Sequence, residues 1–232
     1  MYAVGNQNFG GFGGQYEGSN KTPDLGMEFQ NAAGELEIKF VLEVGFSETY
    51  EDLVRDAKLW LDGKPEVCVF VLVKFEESPN YRCPVHDLDD EELGRLEFPK
   101  GSEVRALNFN LEGEYGPVIY KGLVWVGRIS TAYMEVWKRD PVTKLATRNE
   151  DRINLHTLAD LPQLKFQLSD FLDVAPENER TISFEWDDYR SLIKHKIKQL
   201  AVYRCQEMLK DRAGLTDIRD RDYQPSSEGS SN

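Results

Sequence analysis

Between Glu35 and Leu61 the spacing of hydrophobic positions changes once, and that change predicts a strand, a tight turn at Gly45 and an amphipathic helix. In the strand half Ile38, Phe40, Leu42 and Val44 point one way and Glu37, Lys39, Val41 and Glu43 the other. After Gly45, Ser47 is the expected N-cap, with Glu48 and Glu51 in the first turn, where the helix dipole favours acid. Leu53, Ala57, Trp60 and Leu61 then recur at the spacing of one buried stripe. Asp52 and Asp56 fall on another side, Lys58 is offset from both, and Gly63 ends the helix. The continuous apolar run over 67–75 predicts a strand covered on both faces, and the three elements together a right-handed βαβ unit.

Elsewhere the pattern is weaker. Residues 1–22 are rich in Gly, Asn and Gln with scattered aromatics, and predict a flexible arm or loose hairpin laid over the domain. Pro23-Asp24 marks a turn or strand entry, and 31–34 a turn. Residues 76–100 predict a long acidic loop with a short helix over DDEELGRL. Strands follow over 103–111 and 117–126, with a turn at 113–117 between them, and another over 131–138, closed by Asp140-Pro141. A short strand near Ile153 and a strand or brief helix over 164–172 complete this part. A long helix then runs from Asp187 to about Arg212, and 214–232 is expected to be a disordered tail. The expected organisation is one α/β domain over 23–213.

No apolar run reaches the 18 residues of a membrane-spanning helix, and the first residues lack the basic start and apolar run of a signal peptide. Three widely spaced cysteines without a CxxC pair suit a reducing, intracellular setting (cytoplasm or nucleus) and argue against structural zinc. The net charge of -13 requires any nucleic-acid contact to come from a local patch or through bound cations, and keeps a protein partner in view. His86, His156 and His195 are too far apart to form a metal set, and no P-loop, GxSxG or GxGxxG motif opens a helix. The basic face of the last helix, 190–204, is a second place for phosphates to touch.

Two carboxylates at the ends of adjacent strands can hold a magnesium ion, and a lysine beside them can orient the attacking water. Pro23-Asp24 followed after twelve residues by Glu37-Ile38-Lys39 is a literal match to the PD-(D/E)XK nuclease pattern. A second register places Glu43 where Glu37 would be. The run from Pro23 to Val73 resembles the Uma-type restriction endonucleases, and more closely a group of uncharacterised fungal proteins with the same core. The resemblance rests on Pro23-Asp24, Glu43-Val44-Gly45, Ser47-Glu48, Asp56-Ala57, Trp60 and the strand at 67–73.

The resemblance implies a restriction-endonuclease-like mixed sheet flanked by helices, with Asp24 and Glu43 as the metal carboxylates. The families' polar position two residues past the strand glutamate is here Gly45, so Lys39 or Lys58 is expected to supply the amine. Glu37 and Glu43 are too far apart along one strand to share an ion, and Glu43 sits at the C-terminal end, where open α/β sheets place their sites. The expected function is magnesium-dependent phosphodiester hydrolysis by Asp24, Glu43, Lys39 and Lys58. The alternative is a catalytically degenerate nuclease fold that binds a protein partner.

Overall fold

The computed structural model describes residues 1–31, 33–156, 161–172 and 174–212, so the tail expected over 214–232 lies outside the described residues. The protein is mixed α/β, and its strands and α-helices are numbered here in chain order. Two compact units divide the chain, residues 1–76 with 131–184, and residues 77–130 with 185 onward.

The first unit is built on a mixed sheet. Its order is β1 (Tyr2–Val4), β2 (Leu25–Gln30), β3 (Leu36–Gly45), β4 (Val69–Ser78), β8 (Arg128–Arg139) and β10 (Ile153–Asn154), with β9 (Ala146–Arg148) also pairing β8. The last two residues of β4 and the first three of β8 belong to the second unit. Strands β1, β2 and β3 are antiparallel neighbours. β3 and β4 pair in parallel from Phe40 opposite Val69 to Gly45 opposite Lys74, with helix α1 (Tyr50–Gly63) between them in sequence. The expected βαβ unit is therefore present, and Val69 to Phe75 are buried throughout. Strand β2 follows the strand entry expected at Pro23-Asp24, with Leu25, Met27 and Phe29 alternating with Gly26, Glu28 and Gln30.

The buried stripe of α1 is the predicted one. Leu53, Ala57, Trp60 and Leu61 are all excluded from solvent and pack on Ile38, Val41, Phe70 and Leu72 of the sheet. Phe9 and Phe12 set their edges against the Trp60 ring at 5.7 and 5.2 Å, so the Gly-rich stretch contributes two rings to this core. A fully buried Trp of this kind typically contributes about 3–5 kcal/mol relative to Ala. Two details differ from expectation. The N-cap is Thr49 rather than Ser47: the helix begins at Tyr50, and only Thr49 places its Oγ1 to accept from the Asp52 amide, at 3.2 Å.

The second difference is a β-bulge. Met27 pairs with Phe40 but Glu28 with Ile38, leaving Lys39 as the extra residue. The alternation slips by one there. Ile38 and Val41 both reach the α1 core, whereas Phe40 lies 6.4 Å from the Phe171 ring on the other face. Glu37, opposite Phe29, shares the Phe171 face. The expected common face of Glu37, Lys39, Val41 and Glu43 is thus corrected: Glu37 and Glu43 project to opposite sides of the sheet. A small ladder of β11 (Lys165–Gln167) and β12 (Thr181–Ser183) completes this unit.

The second unit holds α2 (Asp90–Arg95), β5 (Asn110–Leu111), β6 (Val118–Tyr120), β7 (Leu123–Val126) and α3 (Trp186–Arg212). Helix α2 lies within the expected DDEELGRL segment and opens with a reciprocal capping box between Asp89 and Glu92. Of the strand expected over 103–111 only β5 forms; the rest is 3-10 turns. The strand expected over 117–126 is a hairpin instead. Lys121 and Gly122, at φ 55° and 73°, reverse the chain between β6 and β7. On α3, Ile197, Ala201, Cys205 and Met208 form the buried stripe. Arg204 clamps Glu77 with two bonds of 2.9 and 2.8 Å and stacks on Tyr81.

Candidate functional site

Asp24 is the last residue before β2, and its position is fixed by a backbone contact. Its Oδ2 accepts a 2.7 Å hydrogen bond from the Val44 amide, which places the carboxylate beside Glu43 on the neighbouring strand. Asp24 is exposed and Glu43 is buried, at 6% exposure. Glu43 lies on the α1 face, where its Oε1 accepts from the Trp60 indole N–H at 3.2 Å. The strand and the helix therefore hold the carboxylate from two sides, as a rigid scaffold should.

Two residues the sequence reading did not assign complete the group. The Lys21 ammonium lies 2.6 Å from Asp56 Oδ2, with both side chains mostly buried. Burial pushes the Glu43 carboxyl up to about 7; Lys21 opposes that rise, while Asp24 and Asp56 add to it. Lys21 is raised in spite of its burial, because the bond to Asp56 and the charges of Asp56, Glu43 and Glu48 outweigh desolvation. These mutual effects place Lys21, Asp24, Glu43 and Asp56 in one electrostatic neighbourhood at the end of β3. Asp56 was visible as the acidic helix position of the resembling families. Lys21 has no periodic signal, only its place three residues ahead of Asp24.

Neither expected lysine reaches this group. Lys39, extruded by the bulge, pairs with Glu37 at 2.6 Å. Lys58 is exposed and lines an open depression with Tyr50, Val54 and Arg55, about 200° around α1 from Asp56. Gly45, the position where the families carry a polar residue, has no space for one. A Cβ built there would lie 2.5 Å from Leu53 Cδ1 and 3.1 Å from Leu53 Cγ and Cδ2, and Leu53 is fully buried.

Whether this donor set suits a divalent ion follows from its chemistry. Among the described residues no three His, Cys, Asp or Glu side chains converge as a closed metal cage. Magnesium keeps several waters and is commonly held by one or two carboxylates together with substrate phosphate. Asp24 and Glu43 supply two carboxylates on adjacent strands, joined through the Val44 amide. Placing a cation against Glu43 also favours its ionised form, which burial disfavours.

No family model, curated protein or solved structure matches this chain.

Proposed function

We propose that the chain is a divalent-metal-dependent phosphodiesterase of the PD-(D/E)XK type, built on a restriction-endonuclease-like core and acting on nucleic acid. The observation that carries this reading is the Asp24–Val44 hydrogen bond, which fastens one carboxylate beside another across adjacent strands. Asp24 and Glu43 would hold the metal. Magnesium, when bound, supplies a Lewis acid that stabilises charge on the scissile phosphate.

The chain's own groups divide the remaining work. Lys21 takes the place of the missing strand lysine. Its raised pKa keeps the amine protonated, so it serves as a charged donor to a phosphate oxygen or water and not as a base. Asp56 holds Lys21 in place. Trp60 orients Glu43 and closes its inner side to water. Because burial keeps the Glu43 carboxyl protonated up to about pH 7, Glu43 would hold a cation more tightly as pH rises through the neutral range.

The test is cleavage of a labelled oligonucleotide with magnesium or manganese. Asp24→Asn and Glu43→Gln are expected to lower the rate at least about 100-fold while the fold survives. Equal rates in wild type and Asp24→Asn overturn the reading. The crowding of Gly45 against Leu53 favours a second one, a degenerate nuclease fold that binds a protein partner. Under that reading millimolar magnesium leaves the melting temperature unchanged.

A further inference from the structure

Strand β8 places Tyr133, Glu135 and Trp137 on the α1 face of the first unit, and the middle residue is unusual. Tyr133 and Trp137 belong to the hydrophobic core, but Glu135 is a carboxylate with no solvent exposure. A buried carboxylate is tolerated only when it is fully paired. Glu135 accepts from the Trp137 indole at 3.0 Å, the Tyr50 hydroxyl at 3.3 Å, Arg152 Nε at 2.8 Å and Arg148 Nη1 at 3.2 Å. The Arg152 guanidinium also lies over the Tyr133 ring at 3.8 Å and the Tyr50 ring at 4.9 Å.

We propose that Arg148 and Arg152, gathered on Glu135, form a binding site for a backbone phosphate of nucleic acid. One buried carboxylate needs one cation, and here there are two. Both arginine side chains remain about two-fifths exposed, at 40% and 41%. Arg152 meets Glu135 through Nε and also bonds Tyr50, and Arg148 commits one Nη, so part of each fork is left for a ligand. Stacking on two tyrosines fixes the Arg152 plane in advance, which lowers the entropy lost on binding. Exposed Glu150 and Asp151 lie between the two arginines in sequence, so the site suits a single phosphate and not a long polyanionic track. It offers two partly exposed guanidinium groups on a chain of net charge -13, where a phosphate contact must be local. The ligand class rests on the proposed function, but the binding does not depend on Asp24, Glu43 or a metal.

The test is fluorescence anisotropy of a labelled single-stranded oligonucleotide of about 20 bases, with the full chain in EDTA at low salt. The combined variant E135Q/R148Q/R152Q removes the buried charge together with its partners and is the one chosen to fold. It is expected to raise Kd at least tenfold and to reduce the slope of log K against log salt by about 0.7, the share of one phosphate on a single strand. Arg148→Lys and Arg152→Lys keep the charge for Glu135, lose the planar fork, and are expected to fall between. Competition by inorganic phosphate alone, at concentrations that leave ionic strength matched, would show a general phosphate site; its failure would show a site that needs the polynucleotide. A folded triple variant with unchanged Kd and slope overturns the proposal, as does a wild type that binds no oligonucleotide. If wild type cleaves and the arginine variants bind and cleave equally well, the proposal falls and the catalytic reading stands. If no metal supports cleavage but the arginine variants lose binding, the reverse holds.

Discussion

Lys21 and Asp56, 35 positions apart in sequence, meet at 2.6 Å on the flank of α1 nearest Glu43. The ammonium is the positive charge that offsets the carboxylates of Asp56, Glu43 and Glu48. Replacing it by an apolar side chain of similar length leaves the partly buried Asp56 without its partner. Lys21→Met is expected to cost about 1–2 kcal/mol, below the full cost of breaking a buried pair because some solvent reaches both groups. Urea denaturation at neutral pH measures it. A loss under about 0.3 kcal/mol would show the pair to be incidental.

Glu43 predicts the sign of a pH dependence. Its carboxyl is pushed by burial up to about 7, from an ordinary value near 4.5. Below pH 4.5 the group is neutral in both the folded and the unfolded chain. Between those values the unfolded chain ionises and the folded chain keeps its proton, so stability falls as pH rises, and above 7 this contribution is flat. The full change is at most about 3 kcal/mol. Glu43→Gln keeps an acceptor for Trp60 and removes the titration. Its stability relative to wild type should therefore grow from pH 5 to pH 8, as urea denaturation at the two values would report. A constant difference would mean that Glu43 is ionised in the folded chain throughout.

The parts of this fold that were legible in the sequence are those whose signal is local. The stripe Leu53, Ala57, Trp60, Leu61 and the run 67–75 each declare their period within a dozen residues, and the chain folds as they predict. What was hidden depends on distant pairing. The bulge at Lys39 exists because β2 pairs with β3 in two registers, and nothing within the strand reports that. It leaves Lys39 paired with Glu37 and away from Glu43, a placement that the spacing within the strand does not report. Lys21 lies in an aperiodic stretch and meets α1 only when the chain before β2 folds back. The hairpin at Lys121-Gly122 was read as one strand, because the apolar residues on either side mask a two-residue turn.

Gly45 faces Leu53 so closely that any side chain must displace it. Gly45→Ala is expected to destabilise by about 1–3 kcal/mol through overpacking. Leu53→Ala alone should cost about 2–5 kcal/mol as a cavity. In the double variant the new methyl occupies part of the space vacated, so the combined loss should fall short of the sum by about 1 kcal/mol or more. A double-mutant cycle by denaturant unfolding tests this, and additive losses would place the crowding elsewhere. The same geometry predicts that Gly45→Lys, the substitution that restores a polar residue at the families' position, gives a destabilised chain and no gain in cleavage.

Arg139, at the end of β8, closes the far end of α1. Its guanidinium donates to the carbonyls of Leu61, Lys64, Pro65 and Val67, the last at 2.5 Å, and so gathers oxygens at the end of the helix and the following turn, where Lys64 also accepts from the Val67 amide. No other side chain type offers five donors in one plane, and a lysine could satisfy only some of these acceptors. Arg139→Met keeps the apolar stem and abandons all four. It is expected to cost about 2–3 kcal/mol, and Arg139→Lys to recover part of that. Because the contacts lie at the C-terminal end of α1, amide hydrogen exchange should quicken over residues 59–64 before it changes near Thr49. Tyr50, at the other end of the helix, would keep its place against Arg152 and Glu135, so oligonucleotide binding in EDTA should be unaffected. Equal quickening along the whole helix would mean that Arg139 supports the fold globally and not the helix end.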